Sequence, residues 1–250
     1  MTPENAAAVE PQAARMGEFS RLTGVFFEPS KTFADIAQRP TWIIPMLIVL
    51  LSGMGVMTAI SQHIGWERIT RQQLETNTMT QRLTPEQKEE AVARSVKFGA
   101  MQGYAGVILG VPIADVIIAA VLLGIAGGIM SGGMRFKQVF AVVCYSGLPG
   151  VISAILTVVV MFLKKPDDID IQNPLAFNLG AFMDPATGSK FVHSLASSMD
   201  LFMIWTILLI ATGLKAAAGK RLTFTGALVA VAVPWAILIL AKSAIVGAFT

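Results

Sequence analysis

The sequence predicts an all-α fold: a polytopic membrane helix bundle of about five transmembrane helices with short interfacial helices. Composition gives the first indication. Hydrophobic residues make up 54% of the 250 residues and charged residues 14%, whereas soluble domains carry about 25% charged residues. The apolar residues are also gathered into long runs with charges at their ends, and about 20 such residues cross a bilayer as a helix. The clearest run, Tyr104 to Met130, holds one charge, Asp115.

Residues 1–18 read as a disordered tail, with Pro3 and Pro11 and no apolar period. They lack the apolar core of a cleavable signal peptide, so the first span is expected to direct its own insertion. In the stretch that follows, Pro29 and Ser30 can start a short helix that Pro40 ends. Phe33, Ile36 and Ala37 share one face of it, with Lys31, Asp35 and Arg39 largely elsewhere. That pattern predicts a helix lying on the membrane surface, with a partner-binding helix as the competing reading.

Five spans are predicted, at about 42–64, 104–130, 139–163, 195–214 and 224–249. The first is flanked by Trp42 and Trp66, about 36 Å apart along a helix, which suits an aromatic belt at each interface. The polar segment between spans one and two carries a helix start in Thr84, Pro85 and Gln87. Glu90 and Arg94 can pair on that helix. In the second span Gly106 with Gly110, and Gly124 with Gly128 and Gly132, form small-xxx-small patterns. Such patterns let another helix approach closely, and a homo-oligomer through this Gly face is a candidate partner. Within the third span, Pro149 between Gly147 and Gly150 is expected to bend or open the helix. From Pro174, Leu175, Leu179, Phe182 and Met183 would share a face of another interfacial helix. Asp167, Asp168 and Asp170 lack the Gly-bearing frame of a calcium loop.

The net charge of +3 is spread along the ends of apolar runs, so nucleic acid is not an expected partner. The turns after spans two and four are short and basic, with Arg135, Lys137, Lys215, Lys220 and Arg221. The positive-inside rule therefore places the N-terminus in the cytoplasm and the C-terminus outside. In that frame Asp115 and Lys242 reach comparable depths, about 16 Å and 12 Å from the outer ends of their spans. A lone charge in lipid is costly. Asp115 and Lys242 are therefore the candidate binding residues, as a hypothetical intramembrane polar pair.

Catalytic chemistry is not indicated. A Ser or Cys nucleophile with a plausible His and acid set, a phosphate-binding Gly loop and an HExxH run are all missing from the sequence. His63 and His193 stand far apart, and Cys144 reads as a small buried hydrophobe. No metal and no cofactor are expected.

Several stretches resemble the Yip family of small five-span membrane proteins: FFEPSKTFADIAQRPTWIIP before the first span, FKQVFAVVCYSGLPGVI opening the third, LKAAAGKRLTFTGAL at the last turn, and the proline of the last span. Eukaryotic members interact with Ypt/Rab GTPases and commonly carry an Asp-Leu-Tyr-Gly-Pro box, which is missing here. The short N-terminal flank is similar to the bacterial branch, so Rab binding is not carried over. The resemblance implies a bacterial inner-membrane protein that organises the lipid bilayer or an unidentified membrane or cytoplasmic protein partner, without enzymatic activity. The competing expectation is a transporter, channel or lipid-moving protein using Asp115 and Lys242.

Overall fold

The computed structural model describes residues 15–76, 82–166, 169, 175, 177–183 and 189–249. Among them the chain is helical, and five helices are long and apolar enough to cross a membrane. Two short helices, α1 (Glu18–Phe27) and α2 (Pro29–Gln38), precede the first span. Pro29 opens α2 where its missing N–H costs nothing, and the chain leaves the helix before Pro40.

Span one is α3 (Ile43–Ala59) continued by a π-helical turn, Ile60–Ile64. Gly65, at φ +85°, then turns the chain into α4 (Trp66–Thr76). The second span belongs to one unbroken helical run of 45 residues, Pro85–Ile129. It comprises α5 (Pro85–Ala105), a π turn Gly106–Gly110, α6 (Val111–Leu122) and a second π segment, Leu123–Ile129. At 1.5 Å per residue the run is about 68 Å long, roughly twice a hydrocarbon core of ~30 Å. Its first half therefore stands outside the membrane, packed against α4. The start is the capping box read from the sequence: the Gln87 amide donates to Thr84 Oγ1, and the Thr84 amide to Gln87 Oε1. Arg94 donates to Glu90 at 3.2 Å.

Span three consists of α7 (Phe136–Ser146) and α8 (Pro149–Leu163), separated at Gly147 and Leu148. Pro149 offers no N–H, and the amides of Leu148, Gly150 and Val151 bond three residues back instead of four, to Tyr145, Gly147 and Leu148. The break is thereby internally satisfied over this turn. The fourth span begins later than the hydropathy alone suggests. A separate helix, α9 (Lys190–Ser197), ends first, and Asp200 Oδ1 then accepts the amides of Phe202 and Met203 to start α10 (Leu201–Ala218). The fifth span is α11 (Phe224–Phe249), with Pro234 inside it.

At the centre lie α7 and α10, against which α2, α6, α8 and α11 pack. Val139, Ala141, Val142, Tyr145, Ala211 and Leu214 are completely covered there. By contrast α6 leans on α7 and leaves Ile113, Val116, Ile117 and Val121 exposed, a lipid-facing surface. A smaller cluster of Ile60, Ile64, Ile69, Met161 and Ile169 sits at the far end, beneath α4.

Three expectations change. The apolar face of α2 does not lie on the bilayer: Phe33, Ile36 and Ala37 are buried against α7 and α10. Among the described residues no other helix of this chain seats on Gly106, Gly110 or Gly124, beside which a Cβ would meet open space. Within this helical run the neighbour is accepted instead at Gly99 and Gly103, where the Trp66 ring fills the place of their side chains. Trp66 is thus an interhelical wedge, its Nε1 donating to Ser61. Finally, of the helix expected from Pro174, the described part holds a 3-10 turn at Leu179–Phe182 capped by Asn178. Pro174 itself, like Asp167, Asp168 and Asp170 and the tail before Arg15, lies outside the described residues.

Replacing Gly99 by valine overpacks the Trp66 seat, where a Cβ would fall 2.6 Å from the ring. The variant is expected to lose about 1–3 kcal/mol. A lowered Tm in detergent together with a changed tryptophan fluorescence checks it.

Candidate functional site

A network of polar side chains forms around one buried guanidinium where α1, α2 and α7 meet. Arg21 is 3% exposed. It comes from α1 and faces Asp35 of α2, with Nε and Nη2 at 2.7 and 2.6 Å from Asp35 Oδ2. Its Nη1 donates to the Arg39 carbonyl at 3.2 Å and to Thr41 Oγ1 at 2.8 Å. The Thr41 hydroxyl donates in turn to Glu18 Oε1 at 2.9 Å. The other Glu18 oxygen accepts the Tyr145 hydroxyl at 2.6 Å. A single chain of charge-assisted hydrogen bonds thus runs from Asp35 through Arg21 and Thr41 to Glu18 and Tyr145.

Local packing makes this convergence possible. Gly24 has no side chain, so α1 approaches α2 until the Thr32 hydroxyl occupies the place of its Cβ. That hydroxyl donates to the Glu28 carbonyl between the two helices. Gly213 of α10 similarly leaves room for Val142 and Phe33. Gln138 of α7 donates to the Ala37 carbonyl at 2.8 Å, satisfying the frayed end of α2. Burial by itself would lower the pKa of Arg21, but the hydrogen bond and charge of Asp35, with a smaller contribution from Tyr145, raise it above the ordinary value. The guanidinium stays charged and held.

This clamp shapes what the hairpin presents. With Val25 buried, Phe19 and Phe27 stand out from α1 at 78% and 84% exposure. The arrangement offers a rigid apolar surface on charged supports. It contains no nucleophile–base pair, and no group of His, Cys, Asp and Glu able to hold a metal occurs among the described residues.

Sequence reasoning missed most of it. Glu18 falls in the stretch read as a disordered tail, whereas it opens α1. Asp35 falls on the polar side of α2, which faces Arg21 and not solvent. The available signal was the surplus of charge around an otherwise apolar hairpin.

The two residues singled out from the sequence are not brought together. Asp115 accepts from Cys144 Sγ at 3.9 Å, because α6 packs on α7. Lys242 donates to Ser198 Oγ at 3.2 Å, because this part of α11 packs on α9. No direct ion pair joins them. They point toward different neighbours. His63 lies against Phe162 and His193 on α9, each without a second metal-binding partner among the described residues.

Removing the cation while leaving its buried partner is the severe change. Arg21→Ala is expected to cost about 3–5 kcal/mol, as for other broken buried pairs. Tyr145→Phe, which takes one hydrogen bond from a carboxylate, is expected to cost roughly 1.5–3 kcal/mol. Thermal melting checks both, and limited proteolysis is expected to cut first within α1 and α2. A double-mutant cycle of Arg21→Ala with Asp35→Ala measures the coupling between them.

Comparison with known proteins places the whole membrane domain. The chain is similar to a protein of Bacillus subtilis (strain 168) described as membrane protein YknW, 28% identical over 211 residues that cover 84% of each chain. No solved structure matches it. The family model of the Yip1 domain matches residues 23–245, from within α1 almost to the end of the fifth span. This multi-pass integral membrane protein belongs to the Yip1 domain family.

Proposed function

We propose that the protein is a non-enzymatic membrane scaffold that binds a membrane or cytoplasmic protein partner through its α1–α2 hairpin. The observation that carries this reading is the clamp. Arg21, Asp35, Thr41, Glu18 and Tyr145 fix the hairpin to the bundle while Phe19 and Phe27 remain exposed. A surface fixed in advance loses little conformational freedom on binding, and aromatic anchors commonly dominate such contacts. The basic turns support a cytoplasmic side for this end of the bundle, with the N-terminus in the cytoplasm and the C-terminus outside by the positive-inside rule. A bacterial inner membrane accords with the relative from Bacillus subtilis.

A second reading, a transporter or lipid-moving protein, has its own support. Asp115 and Cys144 meet inside the bundle three residues before the interruption of span three, and the fully buried Ser146 hydroxyl beside that interruption has no hydrogen-bond partner. Broken spans with polar groups line binding sites in many transporters.

Photo-crosslinking residues placed at positions 19 and 27 in native membranes are expected to trap a discrete protein adduct, and one at lipid-facing Ile117 is not. Phe19→Ala and Phe27→Ala are each expected to weaken co-purification of that adduct, by about 2 kcal/mol for a true anchor. Crosslinks confined to lipid would refute partner binding at this face. Flux in liposomes that Asp115→Asn abolishes would put the second reading first.

A further inference from the structure

We propose that the two basic turns at the hairpin end of the bundle together form a site for the phosphate headgroup of an anionic phospholipid. The turns after spans two and four are distant in sequence but adjacent in the fold. The Arg221 guanidinium lies where a side chain on Gly133 would have to go, and the Met130 side chain reaches 3.2 Å from the place of a Cβ on Gly226. Gly133, at φ +65°, is what allows this approach: a side chain there would be strained as well as displaced by Arg221.

Arg135, Lys137, Lys215, Lys220 and Arg221 are all exposed around this junction. Among the described residues none of them has a carboxylate partner, since the ion pairs at this end use Arg21 and Lys31. The carboxylates of the same end, Glu18, Glu28 and Asp35, belong to α1, α2 and the residue between them, and are already engaged by those two cations. Among the described residues the junction is therefore a cluster of cations without a carboxylate counter-ion.

Its apolar edge selects the kind of anion. Phe136 and Phe224, the first residues of α7 and α11, are each 41% exposed, and Ile129 is 82% exposed beside them. Cations at the mouths of two turns, with exposed aromatic and aliphatic groups where the spans begin, fit a phosphodiester carrying acyl chains. An inorganic phosphate would use only the first half. Each Lys or Arg near a membrane surface strengthens attraction to anionic lipid by roughly fivefold.

The test uses the full chain in mild detergent, with phosphatidylglycerol and phosphatidylcholine as probes. Lipid retention is read by native mass spectrometry and protection by thermal melting. The wild type is expected to retain phosphatidylglycerol preferentially and to melt later with it. R135Q/R221Q is expected to lose retention by roughly fivefold for each cation removed. R15Q/R39Q, which removes the same charge from the same end outside the junction, is expected to keep it. If Arg221 proves necessary for folding, K137Q/K220Q alters only exposed side chains and is expected to show the same loss. Equal retention of the two lipids, equal losses in the junction and control variants, or displacement of the lipid by inorganic phosphate would each overturn the proposal.

Discussion

A guanidinium held between the two helices of the hairpin and the entry of the first span sets the geometry of one whole end of this protein. Arg21 could not be buried unless its charge and its donors were answered, because an unpaired ion in that position would cost several kcal/mol. Asp35 answers the charge, while Thr41 and the Arg39 carbonyl take further N–H groups. Those partners lie on α2 and on the segment just before α3. The requirement to satisfy one cation thus positions both the hairpin and the entry of the first span. Glu18 extends the constraint to Tyr145, so α7 is drawn into the same unit. The apolar contacts of Phe33 and Ile36 with α7 and α10 then give the hairpin its burial, and the polar chain fixes its register.

The opposite end is held differently. There α4 returns along the projecting half of the long helix, and the contact is a tryptophan ring laid on two glycines. Ion pairs accompany it: Arg71 bridges Glu67 and Glu89 and holds the Glu89 carboxyl below its usual range. These groups are solvent-exposed, where such pairs contribute little. Shape therefore governs the far end, while buried charge governs the hairpin end. The difference follows from solvent access, since a charge network gains strength only where water is excluded.

The spans, their order and the helix starts at Pro29 and Thr84 were legible in the sequence because each depends on local chemistry. Apolar length marks a span, Thr84 with Gln87 marks a cap, and Pro149 marks a break. In each case the residues responsible lie within a few positions of their effect. What the sequence hid was tertiary. Nothing near Glu18 indicates that its carboxylate meets a tyrosine more than a hundred residues later. The face shared by Phe33, Ile36 and Ala37 was read correctly as one apolar surface, but a bilayer and a neighbouring helix demand the same pattern. Periodicity reports that a face is buried and not what buries it.

The separation of Asp115 from Lys242 has the same origin in sharper form. Depth along a helix accumulates at 1.5 Å per residue and is nearly independent of small irregularities, so comparable depths could be read from sequence. Azimuth is far less forgiving. A π turn carries an extra residue, and one residue rotates everything after it by about 100° relative to an uninterrupted helix of 3.6 residues per turn. The second span contains such a turn at Gly106–Gly110, just before Asp115, and another at Leu123–Ile129. Asp115 is thereby aimed at Cys144 on α7, and the glycines at open space. The irregular turns of this helix, and not its hydropathy, decide which of its polar groups the bundle can use.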